Sequence, residues 1–335
     1  MFIHDAWYVA AWDHEVTRTP FARTILNEPI VMYRKADGGI VALEDRCCHR
    51  HFPLSRGELK GDCIQCGYHG MIYDDTGACV EIPWQKTVSR AARVRAYPVV
   101  ERNRWIWIWM GDADKADPST ITDFHWLDDP DWGAKGDLFH IKCDYRLIVE
   151  NLLDLTHLAY VHRTTIGNDA VAAAAGVQCE TSAEEVTVTR WTLNRPPPPT
   201  YAKAGNFEGN VDRWQIINFT PPAFVRLDVG ACDAGTGAPD GNRQGGIGMR
   251  NLNAITPETE NTTHYFWAQA HDFEVNNKDI TELVFQQVKT AFKEDIEVFE
   301  AQQERINQNP DAPRINLSQD AGGIAAIKII ERLST

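Results

Sequence analysis

The sequence predicts an α+β protein in which an N-terminal all-β domain precedes a domain that combines an antiparallel sheet with helices. Up to about Gly111, short apolar runs alternate with Asp-Gly-Gly and Asp-Thr-Gly segments, which is typical of strands and tight turns. A Pro- and Asp-rich connector follows, and beyond it helical patterns enclose a series of strand-like segments. We place the boundary near residue 115, which gives domains at residues 1–115 and 116–335.

The expected elements follow in chain order. The strands of the first domain are expected in EPIVMYRK, GIVALEDRC, MIYDDTGACVEIP, VRAYPVVERN and WIWIWMGD. The second domain starts with FHIKCDYRLIVENLLDLTHLAYVH, which is long and apolar enough to be mainly helix. Strands of one antiparallel sheet are then expected in EEVTVTRWTL, RWQIINFT, AFVRLDVG and THYFWAQAHDF. The last predicted element is the helix DITELVFQQVKTAFKEDIEVFEAQQERINQ, followed by a short tail.

Length and charge limit the classes of function. A chain of 335 residues is long enough for two domains that each bury a core. The formal net charge of −14 opposes binding to nucleic acid. No apolar run approaches the roughly 18 to 20 residues that span a bilayer, and the first residues include acids where a signal peptide would carry basic residues. We therefore expect a cytoplasmic protein that binds neither nucleic acid nor membrane.

The segment Glu44–Gly70 carries the most distinctive pattern, with four of the eight cysteines and three of the eleven histidines. In a reducing compartment, such a cluster indicates metal or redox chemistry and not a disulfide framework. The other four cysteines are scattered along the chain, and we interpret them as small buried hydrophobic residues.

Within this segment, Cys47-x-His49 and Cys66-x-x-His69 provide one sulfur and one nitrogen donor from each of two loops. A zinc finger instead pairs its cysteines first and its histidines second. A Rieske centre holds one iron of a [2Fe–2S] cluster by two cysteines and the other iron by two histidines, and it needs this order. A [2Fe–2S] cluster is thus the favoured interpretation, and a structural zinc ion is the alternative.

Three neighbouring residues are interpreted as non-ligands. Cys63 and Cys66 form a Cys-x-x-Cys pair, but the strand-to-helix context of a thioredoxin site is missing from the pattern. Cys48 lies between two proposed ligands, and His51 is expected to be a surface residue or a residue next to the cluster. The roles of Cys48 and Cys63 stay open.

A second constellation interrupts the apolar helix near residue 150. Asn151, Asp154, His157 and His162 lie among leucines, where each polar group needs a buried partner, and a metal would supply one. The two histidines are five residues apart, so on a regular helix they would point roughly 140° apart. A local π-type turn or a helix end would bring them together, and a third ligand must come from elsewhere.

Asp295 is the candidate for that third ligand. In the C-terminal helix it replaces one member of an otherwise apolar ridge formed by Val284, Val288, Ala291, Val298 and Gln302. A carboxylate on a buried face is costly unless it is paired or bound to a metal. Two histidines and one carboxylate are the facial triad of non-haem Fe(II) oxygenases, and the alternative for Asp295 is an ion pair with Arg or Lys.

Together the two constellations resemble the terminal oxygenase component of Rieske non-haem iron oxygenases. The cluster motif is CCHRHFPLSRGELKGDCIQCGYHG and the iron motif is NLLDLTHLAYVH. The resemblance extends from WYVAAW through VDRWQI and TPETENTTHYFW to EDIEVFEAQQ and DAGG, so it covers essentially the whole chain. Within the family, the chain resembles the group that contains vanillate O-demethylase oxygenase, toluenesulfonate methyl-monooxygenase and dicamba monooxygenase. It departs from the motif at Cys48, where Pro is more usual.

The resemblance implies a Rieske [2Fe–2S] domain followed by a helix-grip catalytic domain with mononuclear Fe(II), assembled as a homotrimer. Asp154 would be the bridge for electron transfer between the cluster of one subunit and the iron of its neighbour. Asn151 matches the family's asparagine near the iron. The pocket-lining segments of the family place Asn253 and Trp267 near substrate, although both could equally be ordinary sheet residues.

The implied reaction is that of a monooxygenase in aromatic compound catabolism, which uses O2 and two electrons to oxidise an aromatic acid. We expect O-demethylation of a methoxybenzoate with release of formaldehyde, and the alternatives are hydroxylation of a ring methyl group or a Rieske electron carrier without oxygenase activity. The sequence lacks a dinucleotide or flavin fingerprint, so a separate NAD(P)H-dependent reductase is expected. Arg213 and Arg250 are candidates to meet the acid group, but we find no sequence signal that points either one inward.

Overall fold

A computed structural model describes residues 1–162, 177–205 and 207–334. The chain divides into two compact units, one of His4–Ile121 and the other of Met1–Ile3 with Thr122–Thr335. None of the helices in the described residues is long and apolar enough to cross a membrane.

The unit His4–Ile121 is all-β, as predicted, and all of its residues are described. Its strands form three antiparallel sheets with the orders β1-β10-β9, β2-β3-β4 and β5-β6-β7-β8. The bounds are β1 Ala6–Trp12, β2 Phe21–Ile25, β3 Glu28–Arg34, β4 Ile40–Glu44, β5 Glu58–Lys60, β6 Cys63–Gln65, β7 Ile72–Tyr73, β8 Cys79–Glu81, β9 Val99–Arg102 and β10 Trp105–Met110. The apolar strand β10 is buried on both faces, and this accounts for its unbroken run of large side chains. The loops after β4 and β6 carry the predicted cluster ligands.

The larger unit contains one antiparallel sheet of seven strands in its described residues, in the order β11-β17-β16-β15-β14-β13-β12. The bounds are β11 Gly133–Ile141, β12 Gln178–Thr181, β13 Val186–Arg195, β14 Val211–Thr220, β15 Phe224–Asp233, β16 Ile247–Thr259 and β17 Thr262–His271. Strands β12 to β17 are sequential hairpin neighbours, and β11 pairs with the last of them. Because side chains alternate between the two faces of a sheet, the register decides which residues face the helices.

Four helices lie in the described part of this unit: α1 Tyr145–Leu153, α2 Pro199–Gly205, α3 Lys278–Gln308 and α4 Ala321–Leu333. Helix α3 packs on β11 and β17 through aromatic contacts, and in one of them Trp267 stacks on Phe285 with ring centroids 5.1 Å apart. Helix α4 packs on α1, and it occupies residues that were predicted only as a tail.

The segment predicted to be mainly helix is more divided than expected. Its first residues complete β11, and α1 begins only after Asp144, whose side chain accepts a hydrogen bond from the N–H of Arg146. The buried face of α3 also differs from the predicted ridge beyond Asp295. Phe299 and Gln303 are buried there in place of Val298 and Gln302, and Gln303 accepts a hydrogen bond from the backbone of Asp144.

Candidate metal centres and substrate cavity

The two loops with the predicted cluster ligands have the same backbone hydrogen-bond pattern. In each loop the cysteine N–H donates to the carbonyl oxygen five residues later, over 2.9 Å from Cys47 and 2.8 Å from Cys66. The cysteine carbonyl accepts from the N–H four residues later, which belongs to His51 in one loop and Gly70 in the other. Both residues have positive φ, 55° and 75°, which tight turns require. His51 therefore holds the turn position that Gly70 holds in the second loop.

The four proposed cluster ligands in these loops differ in burial. Cys47 and Cys66 are each only 2% exposed, whereas His49 and His69 are exposed with ring centroids 4.6 Å apart. Burial raises the pKa of the Cys66 thiol, against hydrogen bonds from the N–H groups of Tyr68 and His69. Two buried thiolates need a cation to compensate their desolvation. A cysteine pair inside and a histidine pair at the surface fit the two differently ligated irons of a Rieske cluster.

Tyr73 is a residue beside the cluster loops that the sequence reasoning missed. Its hydroxyl lies 3.1 Å from Sγ of Cys47 and 3.2 Å from Sγ of Cys48. Cys48 thus lies next to a proposed ligand and shares its hydrogen-bond partner. Cys63 lies in β6, and burial raises the pKa of its thiol, which disfavours the reactive thiolate of a dithiol redox site.

The predicted iron ligands lie beyond the end of α1. The helix stops at Leu153 because Asp154 is extended (φ −97°, ψ 119°), and the Asp154 carboxylate accepts hydrogen bonds from both the N–H and the hydroxyl of Thr156, each over 2.7 Å. His157 then starts a short 3-10 turn. His157 and His162 are therefore not on one regular helix, and their ring centroids are 5.1 Å apart.

Asp295 of α3 completes a group of three convergent donors. Its Oδ1 lies 3.2 Å from Nε2 of His162 and 3.7 Å from Nε2 of His157. One donor atom from each residue lies within 4.8 Å of the others, and Asp295 is 4% exposed. Within the described part of the chain, no Lys or Arg pairs with Asp295, which disfavours the alternative of a structural ion pair. Two imidazoles and one carboxylate fit a mononuclear iron with open positions.

Three side chains support this group. Glu294 accepts a hydrogen bond of 2.7 Å from Nδ1 of His162. Asn151 donates to Oδ1 of Asp295 over 3.3 Å, and Oδ2 of Asp154 faces Nδ1 of His157 at 3.8 Å. Nδ1 of His157 is buried and has no hydrogen-bond partner in the described residues. Glu294 could not be identified from the sequence, in which it is one of several acids in α3.

The surroundings give the two imidazoles different proton affinities. Burial lowers the pKa of His157, which keeps its ring neutral and able to bind a metal. Burial also opposes charge on His162, but hydrogen bonds and charges from Asp295 and Glu294 outweigh it and raise the pKa. A cation at this site would replace the proton that the carboxylates favour.

A cavity of about 140 Å³ opens onto this group between the sheet and α3. It is lined by His157, His162 and Asp295 at the donor group, and mostly by apolar side chains elsewhere. This volume is close to the roughly 150 Å³ that holds one benzene ring in a protein core. On the sheet side, the register brings Gln215, Val229 and Met249 to the same face in three adjacent strands.

Asn253 and Trp267 do not line this cavity. They lie on the correct face of the sheet, but Asn251 and Gln269, two positions away on the same strands, take that place. The Asn253 amide donates to the carbonyl of Val225 and to Oδ1 of Asn251, each over 2.9 Å. Trp267 is covered by stacked aromatic rings of β11 and α3.

The two candidate arginines differ sharply. Arg213 of β14 lines the cavity and is 7% exposed. Arg250 instead pairs with Asp228 and lies over the rings of Trp126 and Trp132, with its guanidinium 5.4 Å and 5.2 Å from their centroids.

The family comparisons cover both units. Residues 6–98 match the Rieske [2Fe-2S] domain, and residues 141–335 match the vanillate O-demethylase oxygenase C-terminal domain. These matches confirm the predicted family, the two-part α+β fold and the cluster domain.

Individual relatives agree along the whole chain. The iron-sulfur subunit of the toluene-4-sulfonate monooxygenase system of Comamonas testosteroni is 45% identical, covering 99% of this chain and 97% of the relative. The vanillate O-demethylase oxygenase subunit of a Pseudomonas strain is 37% identical, with coverage of 99% and 95%. A crystal structure of dicamba monooxygenase bound to dicamba matches with a TM-score of 0.90 at 34% identity, covering 99% of this chain and 98% of that one. The chain therefore belongs to the Rieske oxygenase family, as an oxygenase component of the vanillate O-demethylase type.

Proposed function

We propose that this oxygenase demethylates a methoxybenzoate, with O2 and two electrons as co-substrates. The single observation that carries this proposal is the ring-sized cavity that opens onto His157, His162 and Asp295. Similarity to vanillate O-demethylase, over 99% of this chain, supports the choice of a methoxy group. One oxygen atom would enter a methyl C–H bond, the other would leave as water, and the hemiacetal would collapse to a phenol and formaldehyde.

The chain's own residues would prepare this site. Cys47, His49, Cys66 and His69 would hold the [2Fe–2S] cluster, while His157, His162 and Asp295 would hold Fe(II), which is consistent with the non-haem iron in one dicamba monooxygenase structure. When bound, the cluster supplies electrons and the mononuclear iron activates O2.

Neighbouring side chains orient these ligands. Glu294 holds the proton of His162 on Nδ1 and leaves Nε2 to face Asp295. Asn151 orients the Asp295 carboxylate, and the apolar cavity wall keeps bulk water from the substrate.

Electrons must arrive from outside the chain. We assign a separate NAD(P)H-dependent reductase as the donor, since the exposed rings of His49 and His69 offer it an approach to the cluster. We further propose a homotrimer in which Asp154 carries electrons between subunits, with its Oδ2 directed at His157. We also propose that the boundary between the cluster domain and the catalytic domain lies near residue 115. A cytoplasmic location is supported by the cysteines, all eight of which are described and none of which forms a disulfide.

A second candidate activity is hydroxylation of a ring methyl group. It is favoured by the 45% identity to the iron-sulfur subunit of a toluene-4-sulfonate monooxygenase system. The same cavity suits this hydroxylation, because a ring methyl group and a methoxy group would both present methyl C–H bonds to the site formed by His157, His162 and Asp295.

Metal analysis and a substrate panel test these proposals. About three irons and two sulfides per chain, with a Rieske-type EPR signal after reduction, are expected; zinc without sulfide would overturn the assignment. With a reductase and NADH, formaldehyde from methoxybenzoates supports demethylation, whereas benzylic alcohols from methylbenzenesulfonates and no formaldehyde would support the second candidate. Iron and sulfide without any O2-dependent product would contradict both activities.

A further inference from the structure

Arg213 is a buried cation without a counter-ion in the described part of the chain. Its side chain is on the cavity face of β14, and its guanidinium lies 4.7 Å from the ring centroid of Tyr201. Nε of Arg213 has no hydrogen-bond partner among the described residues, although the side chain is 7% exposed. A buried guanidinium that makes neither ion pair nor hydrogen bond costs stability, so a ligand that supplies both would bind favourably.

Two other arginines of the same sheet have hydrogen-bond or ion-pair partners for their guanidinium groups. Arg190, which is 2% exposed, donates to Oε1 of Gln215 and to the carbonyl of Leu155. Arg250 pairs with Asp228. Arg213 therefore differs from both, and its side chain lines the cavity that also contains the proposed iron ligands.

We propose that Arg213 is the anion-binding residue of the substrate cavity, where it would hold the carboxylate of the proposed methoxybenzoate or the sulfonate of the second candidate substrate. This inference rests on the proposed function, and it names the group that fixes how the ring lies. A planar guanidinium can donate two parallel hydrogen bonds to either oxyanion, and the contact with the Tyr201 ring helps to position it. A cavity of about 140 Å³ holds a single ring, so a substrate held at Arg213 has its remaining substituents inside the same small volume as His157, His162 and Asp295.

The sheet register defines the position of this anchor. Arg213 pairs with Ala231 of the neighbouring strand β15. The next row on the same face consists of Gln215, Val229 and Met249, which offers mainly apolar surface to a ring. A ring would thus lie along the sheet from a charged end toward the carboxamides of Asn251 and Gln269.

The test compares ligands that differ in charge. Binding of benzoate, benzenesulfonate and benzamide to the anaerobic holoenzyme is measured by calorimetry for the wild type, Arg213→Met and Arg213→Lys. We expect both anions to bind the wild type about tenfold or more tightly than benzamide, since hydrogen bonds to charged groups are the stronger class. Arg213→Met should abolish this preference and leave benzamide binding unchanged, and Arg213→Lys should keep part of it.

Arg250→Gln is the matched control, because Asp228 keeps Arg243 and Trp214 as partners in that variant. It should bind all three ligands like the wild type. Wild-type affinity of Arg213→Met for benzoate, or an equal loss in Arg250→Gln, would overturn the proposal. Retained benzamide binding would show that Arg213→Met is folded. If that variant does not fold, Arg213→Lys provides the test. An unchanged preference of Arg213→Lys for the two anions over benzamide would count against the role of Arg213.

Failure of the proposed function gives a different result. If anion binding depends on Arg213 but none of the methoxybenzoates and methylbenzenesulfonates is oxidised, the role of Arg213 stands and the proposed reaction fails. If neutral methoxybenzenes are demethylated as efficiently as methoxybenzoates and Arg213→Met does not change this, the reaction stands and the anchor fails.

Discussion

Glu294 accepts a hydrogen bond of 2.7 Å from Nδ1 of His162 and thereby fixes which nitrogen of that ring is free. Because Nδ1 donates to Glu294, Nε2, which lies 3.2 Å from Oδ1 of Asp295, is the nitrogen that would bind a metal shared with that carboxylate. Adjacent residues of α3 thus contribute a proposed ligand and the group that orients a second one. Such carboxylate–histidine pairs raise the basicity of the ligand and fix its orientation.

Glu294→Gln is expected to weaken iron binding. The neutral amide still contacts Nδ1, but it no longer stabilises a basic imidazole, so iron affinity should fall about 10- to 100-fold. The measurement is competition for Fe(II) between the protein and a chelator. Glu297→Gln, at an exposed acid on the same helix, is the control and should bind iron like the wild type. Equal affinities in all three proteins would contradict this role.

Asp295→Ala should remove the mononuclear iron without affecting the cluster. The variant keeps both imidazoles but lacks the only carboxylate of the described donor group, so iron content should fall from about three to about two per chain. Turnover should be lost while the EPR signal of the reduced cluster persists. Loss of the cluster signal with retention of the third iron would show that Asp295 is not the ligand.

Tyr73→Phe should lower the reduction potential of the cluster. The hydroxyl lies 3.1 Å from Sγ of Cys47, and a hydrogen bond to a ligand sulfur stabilises the more negative, reduced state. Redox titration followed by EPR gives the potential. Tyr33→Phe removes a buried hydroxyl that donates to the carbonyl of Asp62, and it should leave the potential unchanged.

Cys48→Ala extends this experiment. The Cys48 thiol can donate to the Tyr73 oxygen over 3.2 Å, which would strengthen the bond from Tyr73 to Cys47. The variant should therefore lower the potential less than Tyr73→Phe does. In a Tyr73→Phe background it should have no further effect, and additive shifts would mean that Cys48 acts on the cluster independently.

The metal sites gave the strongest sequence signals. Spacing predicts Cys47 and Cys66, and not the extra thiols, as cluster ligands, because ligand chemistry restricts both residue type and order. Asn253 and Trp267 lie two residues from Asn251 and Gln269, which line the cavity, and this offset has a different origin. Alternation predicts a face, but the covering rings of α3 decide where on that face a cavity remains, and such long-range packing leaves no local signal.

Arg213 was partly predictable. In the strand VDRWQIINFT it shares the phase of Val211, Ile217 and Phe219, and that alternation places it on the buried face. The start of β14 obscures this signal, because the intervening Asp212 and Trp214 are buried as well. Whether it has a partner depends on residues brought together only by the fold, and none of the described residues forms an ion pair with it.

His271 should make the larger unit sensitive to acid. Burial lowers the pKa of its ring, which favours the neutral form in the folded state. Nδ1 donates to the carbonyl of Phe273 over 2.6 Å, and Nε2 lies 2.9 Å from the Thr281 hydroxyl. As the pH falls below the ordinary histidine pKa of about 6.5, the unfolded chain takes up a proton that the folded state refuses, so the free energy of unfolding falls with decreasing pH.

The slope from this one group is at most about 1.4 kcal/mol per pH unit, and it disappears above the ordinary pKa. His271→Asn keeps a donor toward Phe273 but does not titrate, so its unfolding free energy should depend less on pH between about 6.5 and the lowered pKa. Urea unfolding at several pH values measures both proteins. Other groups titrate in both, so the difference between the two slopes isolates His271. Parallel pH profiles would mean that the folded protein can protonate His271 without strain, and a steeper profile for the variant would reverse the assigned sign.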